Sequence, residues 1–136
     1  MNGAERRRQR KKDGKAAKNA EPEQQTPTIP ETLALAVQHQ KAGDLATAEE
    51  LYNQVLQADP HQPDALHLLG VMAHQVGNND VAVDLISQAL AIRPGYAEAH
   101  YNLGTALQDL SALDKAADSY NKAIAIKPDY PMAHNN

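Results

Sequence analysis

Residues 63–96 have the sequence PDALHLLGVMAHQVGNNDVAVDLISQALAIRPGY, and the chain on either side repeats the pattern of this stretch. It contains two short amphipathic helical patterns, which Gly77 separates and Pro94 closes. The same features recur before and after it at a constant 34-residue step. Self-similarity at this period is typical of solenoids, in which one helix pair buries its apolar face against the next pair. The stretch therefore predicts an all-α repeat protein.

The residues that keep the 34-residue step are those that pack or end helices. Glycine and alanine let two antiparallel helices approach closely, tyrosine and isoleucine fill the space between pairs, and proline ends a helix. The positions in phase are Ala48, Ala82 and Ala116; Tyr52, Ile86 and Tyr120; Pro60, Pro94 and Pro128; and Gly70 and Gly104. They predict three repeats at 29–62, 63–96 and 97–130, with a truncated fourth repeat starting at 131–136. We expect helices over 81–92, 98–110 and 114–126.

Residues 1–28 differ in composition from the rest. The segment 1–20 holds eight Lys and Arg against two acidic residues, a net charge of +6, and no Leu, Ile or Val. Because such a segment cannot bury enough apolar surface to offset ordering, we expect residues 1–28 to form a disordered basic tail and a Pro-rich linker. The basic run at 5–18 makes nucleic acid or an anionic membrane an alternative partner. It has no aromatic residue for base stacking, so a solvated tail is favoured.

The sequence offers little for catalysis or metal binding. Without Cys there is no disulfide, thiolate zinc site or Cys nucleophile. Ser87, Ser111 and Ser119 have no Gly-rich turn around them, as an activated serine would need. His67 and His74 are two helical turns apart, about 10 Å along a helix, which is too far for a shared metal. We therefore expect no enzyme activity, no metal and no cofactor. With no signal peptide or apolar span, we expect a cytoplasmic protein.

The repeat positions resemble the tetratricopeptide repeat (TPR). Leu69-Gly70 with Ala82, Ile86 and Pro94 matches the TPR pattern, and the third unit matches it equally. The first unit departs from it, since Ala36 replaces the glycine. The resemblance implies a right-handed superhelical solenoid whose first helices line a concave groove. The groove residues that it implies are His67, Val71, His74, Tyr101, Asn102, Thr105 and Gln108.

The resemblance also bears on the ligand. Asn102 is similar to the asparagines by which O-linked N-acetylglucosamine transferases grip the backbone of an extended peptide, although Ala34 and Leu68 occupy the earlier equivalents. TPR domains that clamp the C-terminal carboxylate of chaperones use Lys, Arg and Asn in the groove. This chain has Leu33, Val37, Leu68 and Glu98 there, which disfavours that subfamily.

We therefore predict a non-enzymatic scaffold that binds a peptide or protein segment in the groove. The alternative is the N-terminal recognition region of a longer, bacterial glycosyltransferase-like enzyme. Ala116, Tyr120 and Ala123 of helix 114–126 lack a covering helix, so we expect them to be left in water. We therefore expect this helix either to promote self-association or to fray.

Overall fold

The computed structural model describes residues 27–134, which form helices joined by short turns without any strand. Six helices of similar length are followed by a single-turn helix. They are α1 Ile29–Lys41, α2 Leu45–Ala58, α3 Pro63–Gln75, α4 Asn79–Ile92, α5 Ala97–Asp109, α6 Leu113–Ile126 and α7 Pro131–His134. Consecutive helices pack in pairs, and each pair packs on the next, as the 34-residue period predicts. The tail predicted at 1–28, with its basic run at 5–18, lies outside the described residues except for Pro27 and Thr28.

Side-chain hydrogen bonds cap the N-termini of the first three helices. Thr28 and Glu31 form a reciprocal capping box at the start of α1, so Thr28 belongs to the folded unit rather than to the tail. Asp44 accepts from a first-turn N–H of α2, and Gln62 does the same for α3. Pro63 is the first residue of α3, where its missing N–H leaves no helical bond unmade.

The turn inside each helix pair requires a left-handed residue. Gly43 and Gly77 have φ values of +86° and +84°, and Ser111 takes the same place in the third pair with φ of +63°. Glycine adopts this conformation without steric cost, whereas serine is strained there. The three turns are therefore alike in shape but not in strain.

Glycine sets the spacing within two helix pairs. A Cβ built on Gly70 would lie 2.6 Å from Cγ1 of Ile86, and one on Gly104 would lie 2.6 Å from Cε1 of Tyr120. Any larger residue would force the side chain of Ile86 or Tyr120, or the helix that carries it, to move. The core around these crossings consists of small residues and a few large ones. Its buried members include Ala36, Ala48, Tyr52, Val55, Ala82, Ile86, Ala89, Ala116, Tyr120 and Ala123.

The C-terminal end is better covered than the sequence suggested. Ala116 and Tyr120, which we expected to be left in water on α6, are buried against α5. The short α7 buries Ala133. The apolar exposure at this end lies instead at Leu110, Leu113, Ile126 and Met132, and it is greatest at Leu113, which is 63% exposed. In the part of the chain that the structure describes, no helix is long and apolar enough to cross a membrane.

Candidate functional site

Six of the seven predicted groove residues lie on the accessible side of α3 and α5, which are first helices of their pairs. We call them the candidate face: Val71, His74, Tyr101, Asn102, Thr105 and Gln108. All are half-buried except Gln108, which is exposed. Asn102, Thr105 and Gln108 follow one another at three-residue steps, so they lie along one stripe of α5. The seventh residue, His67, is only 4% exposed and lies beneath this face.

A chain of hydrogen bonds passes through His67 and joins α3 to α5. Arg93 Nη1 donates to Asp64 Oδ1 at 3.2 Å, and the Tyr96 hydroxyl donates to the same oxygen at 2.8 Å. His67 Nδ1 lies 2.9 Å from the Tyr96 oxygen, and Asn102 Nδ2 lies 2.8 Å from His67 Nε2. The Tyr96 ring also packs edge-on to His67 and lies under the Arg93 guanidinium. We call this chain the relay.

Only one assignment of donors and acceptors is consistent along the relay, and we call it the direction of the relay. Because the Asp64 carboxylate can only accept, the Tyr96 hydroxyl must donate to it. The Tyr96 oxygen then accepts from His67 Nδ1–H, which leaves Nε2 of neutral His67 as an acceptor for the Asn102 amide. Burial lowers the pKa of His67 to about 4, with smaller opposing effects of Asp64 and Arg93. His67 is therefore neutral near pH 7, as this direction requires.

Asp64 and Tyr96 also have the charge states that this direction requires. Burial raises the pKa of the Asp64 carboxyl, but the hydrogen bonds from Tyr96 and Arg93 outweigh it, and the net shift is downward. Burial, followed by the bond to Asp64, raises the pKa of Tyr96. Asp64 is thus an anion and Tyr96 a neutral hydroxyl near pH 7.

Two glutamines are each held by a tyrosine of the following helix, at the same spacing along the chain. The Tyr52 hydroxyl donates to Gln40 Oε1 at 2.6 Å, and the Tyr120 hydroxyl donates to Gln108 Oε1 at 2.8 Å. Each bond leaves the glutamine Nε2 group to donate elsewhere. Burial raises the pKa of Tyr52 to about 12 and raises that of Tyr120, so both hydroxyls keep their protons. Sequence reasoning missed Gln40, although the repeated Gln–Tyr spacing of twelve was visible.

The second repeat has a different contact at this position. Ile86 replaces the tyrosine, and His74, at the glutamine position, instead lies with Nε2 2.7 Å from Asp109 Oδ2 on α5. This contact, like the relay, ties α3 to α5. No sequence signal pointed to it, because the partners lie in different repeats.

The remaining face residues are held in place locally. Thr105 Oγ1 donates to the backbone oxygen of Asn102 at 2.8 Å, which leaves the Thr105 hydroxyl oxygen able to accept. The Tyr101 ring packs against Tyr120 and Tyr130, with ring centres 5.7 and 5.5 Å apart. The stripe on α5 is therefore a mainly polar surface whose side chains are held by hydrogen bonds within the fold. Within residues 27–134 there is no group of three or more side chains suited to hold a metal ion.

Comparison with known families gives two matches, both described as tetratricopeptide repeat. One covers residues 33–97 and the other residues 97–130. Together they span most of the chain. A comparison with curated proteins gave no match.

Solved structures with a similar fold include three that come from different proteins. The O-GlcNAc transferase of Thermobaculum terrenum is 37% identical with a TM-score of 0.76, over 78% of this chain and 20% of that one. A crystal structure of MamA is 27% identical with a TM-score of 0.72, over 91% and 68% of the two chains. The first TPR of Spaghetti (RPAP3), bound to an HSP90 peptide, is 21% identical with a TM-score of 0.75, over 79% and 85%. This chain thus spans about a fifth of the transferase chain.

Proposed function

Because the chain belongs to the tetratricopeptide repeat family, whose repeats indicate a protein–protein interaction scaffold, we propose that it binds a peptide segment on the candidate face and has no catalytic activity of its own. One observation carries the proposal. The polar side chains of α5 are anchored by internal hydrogen bonds, yet each keeps a donor or acceptor for a ligand. Anchored groups lose little conformational entropy on binding, which favours affinity.

The charges near the face favour a neutral or weakly charged segment over a carboxylate terminus. Asp64 and Glu98 lie at the start of α3 and α5, and Arg93 is already paired with Asp64. A terminal carboxylate would meet these anions, and the described residues of the face include no cluster of free cations to bind it. Val71 adds an apolar contact for an aliphatic side chain. An extended, uncharged segment with small or aliphatic side chains fits best.

The proposal is tested by screening a random-sequence peptide array and mapping the strongest binder by amide NMR. We expect shifts on α3 and α5, and a loss of affinity in Asn102→Ala and Gln108→Ala, measured at a temperature at which both variants are folded. Gln88→Ala, on the exposed side of α4, is the matched control and should bind normally. Tyr101 is less suitable as a probe, because its ring also packs on Tyr120 and Tyr130. Binding confined to other helices would contradict the proposal.

A second function is favoured by the likeness to the Thermobaculum terrenum transferase. In this alternative the repeats are the recognition region of a longer enzyme of the glycosyltransferase type, and the candidate face presents a protein substrate to it. The coding sequence beyond codon 136 decides the matter. A transferase domain in the same reading frame would support the alternative, and a stop codon or an unrelated domain would contradict it.

A further inference from the structure

The amide of Asn102 could in principle lie either way round. Its oxygen and nitrogen are similar in size, so packing alone does not distinguish the two orientations. A hydrogen-bond partner must do so. Asn102 has such a partner in His67 Nε2, at 2.8 Å on the neighbouring repeat.

The orientation of the Asn102 amide is determined by Asp64, through Tyr96 and His67. An anion that only accepts fixes the Tyr96 hydroxyl as a donor, which fixes the proton of His67 on Nδ1. His67 Nε2 then attracts the Asn102 nitrogen, and the amide oxygen points the other way. Arg93 holds Asp64 in position by its bond of 3.2 Å.

We propose that Asp64, Tyr96 and His67 are positioning residues, which hold the Asn102 amide with its oxygen toward the ligand, so that this point of the face accepts a backbone N–H of an extended peptide. The proposal rests on the peptide-binding function proposed above. Asn102 thus acts as the hydrogen-bond acceptor in this contact, and residues of the neighbouring repeat determine that role.

Neighbouring groups extend this polarity along α5. The Thr105 hydroxyl donates to its own helix and so offers an acceptor, while Gln108 offers its Nε2 donors. The stripe thus runs from acceptors at Asn102 and Thr105 to a donor at Gln108. A peptide backbone supplies both N–H and C=O groups, whereas a carboxylate or phosphate supplies only acceptors.

The first test needs no ligand. In the full 136-residue chain at pH 7, the ¹⁵N shifts of the His67 ring distinguish the two neutral tautomers. We expect the proton on Nδ1 in the wild type and a mixture of tautomers in Tyr96→Phe, which keeps the ring but removes the hydroxyl. Tyr130→Phe, outside the relay, should leave the His67 spectrum unchanged. A wild-type proton on Nε2 would overturn the proposal, because His67 would then donate to the Asn102 oxygen.

The second test uses uncharged decapeptides of random sequence. The best binder is resynthesised with each backbone N–H methylated in turn. One methylation should weaken binding to the wild type about three- to ten-fold, the effect of one lost hydrogen bond. The same methylation should have under two-fold effect in Asn102→Leu and a reduced effect in Tyr96→Phe, while Tyr130→Phe should behave as the wild type.

The outcomes separate this proposal from the function on which it rests. If peptides bind but the methylation weakens binding to Asn102→Leu as much as binding to the wild type, the proposed peptide binding stands. The assignment of Asn102 as the acceptor is then wrong. If no peptide binds the wild type, the proposed function fails, and the contact assigned to Asn102 fails with it. In that case the His67 spectrum still reports whether the relay has the direction described.

Discussion

Asn79 interrupts the repeat pattern at the start of α4. Its side-chain oxygen is buried without a hydrogen-bond partner, whereas Leu45 and Leu113 occupy the equivalent positions of the first and third repeats. A buried acceptor that has lost its water costs about 1–3 kcal/mol. We therefore expect Asn79→Leu to raise the free energy of unfolding by about 1–2 kcal/mol in urea denaturation. The exposed Asn53→Leu on α2 is the control, and an equal or lower stability for Asn79→Leu would refute the explanation.

His67 should make the stability of the fold depend on pH. Burial lowers its folded-state pKa from 6.5 to about 4, so the unfolded chain binds a proton first as the pH falls. The stability contributed by neutral His67 is complete above pH 6.5 and is lost progressively down to about pH 4. The loss is about 3 kcal/mol at about 1.36 kcal/mol per pKa unit. Urea titrations between pH 7 and pH 4 should show it. His67→Phe should be less stable at pH 7, but its free energy of unfolding should change less with pH over this range. A variant whose stability falls as steeply as that of the wild type would contradict the assignment.

At the scale of the element, the turns within the helix pairs should differ in stability. Ser111 adopts the left-handed conformation that Gly43 and Gly77 adopt in the first two pairs. Ser111→Gly should relieve strain at the α5–α6 turn and stabilise the chain by about 0.5–1 kcal/mol. The reciprocal change, Gly77→Ser, should destabilise it by a similar amount. Thermal unfolding measures both, and a loss of stability in Ser111→Gly would show that the turn is not strained.

The helices themselves were largely predictable because their signals are local. Proline, glycine and the 34-residue step place the fourth helix at 81–92 and the fifth at 98–110, against Asn79–Ile92 and Ala97–Asp109 in the structure. The strain at Ser111 was not foreseen, since serine is not a usual left-handed residue. The burial of His67 and its place in the relay were not foreseen either. They depend on partners on other helices, far along the chain, which helical periodicity does not report.

At the scale of the whole molecule, the contacts between repeats differ in kind. The first and second repeats meet through an apolar cluster that includes Ala36, Tyr52 and Met72. The second and third are joined by polar contacts as well, namely the relay and the His74–Asp109 pair. Hydrogen bonds require a defined geometry and apolar contacts tolerate adjustment, so we infer that the α3–α5 surface is the more rigid part. That is also where the candidate face lies.

Protection from hydrogen exchange should fall toward the C-terminal end of the described helices. In a solenoid each repeat is stabilised by its neighbours, so a helix covered on one side opens at a lower free energy. Among the described helices, α4 packs against α3 and α5, whereas α6 packs against α5 and the single-turn α7. Leu113 on α6 is 63% exposed, while the equivalent Leu45 is half-buried. We expect the amides of α6 to exchange at least about ten-fold faster than those of α4 in dilute solution.

The same experiment tests self-association. If a second copy covers Leu113 and its neighbours, the protection of α6 should rise with protein concentration, and light scattering should show a matching rise in mass. Leu113→Lys should abolish both concentration effects while leaving the protection of α4 unchanged, because Leu113 contributes little to the core when 63% exposed. If the chain is monomeric at every concentration and α6 exchanges faster than α4, self-association is contradicted. Local opening of α6 then remains the explanation of its faster exchange. Equal protection of α6 and α4 in dilute solution would contradict the stability gradient, because it would mean that α5 and α7 cover α6 sufficiently.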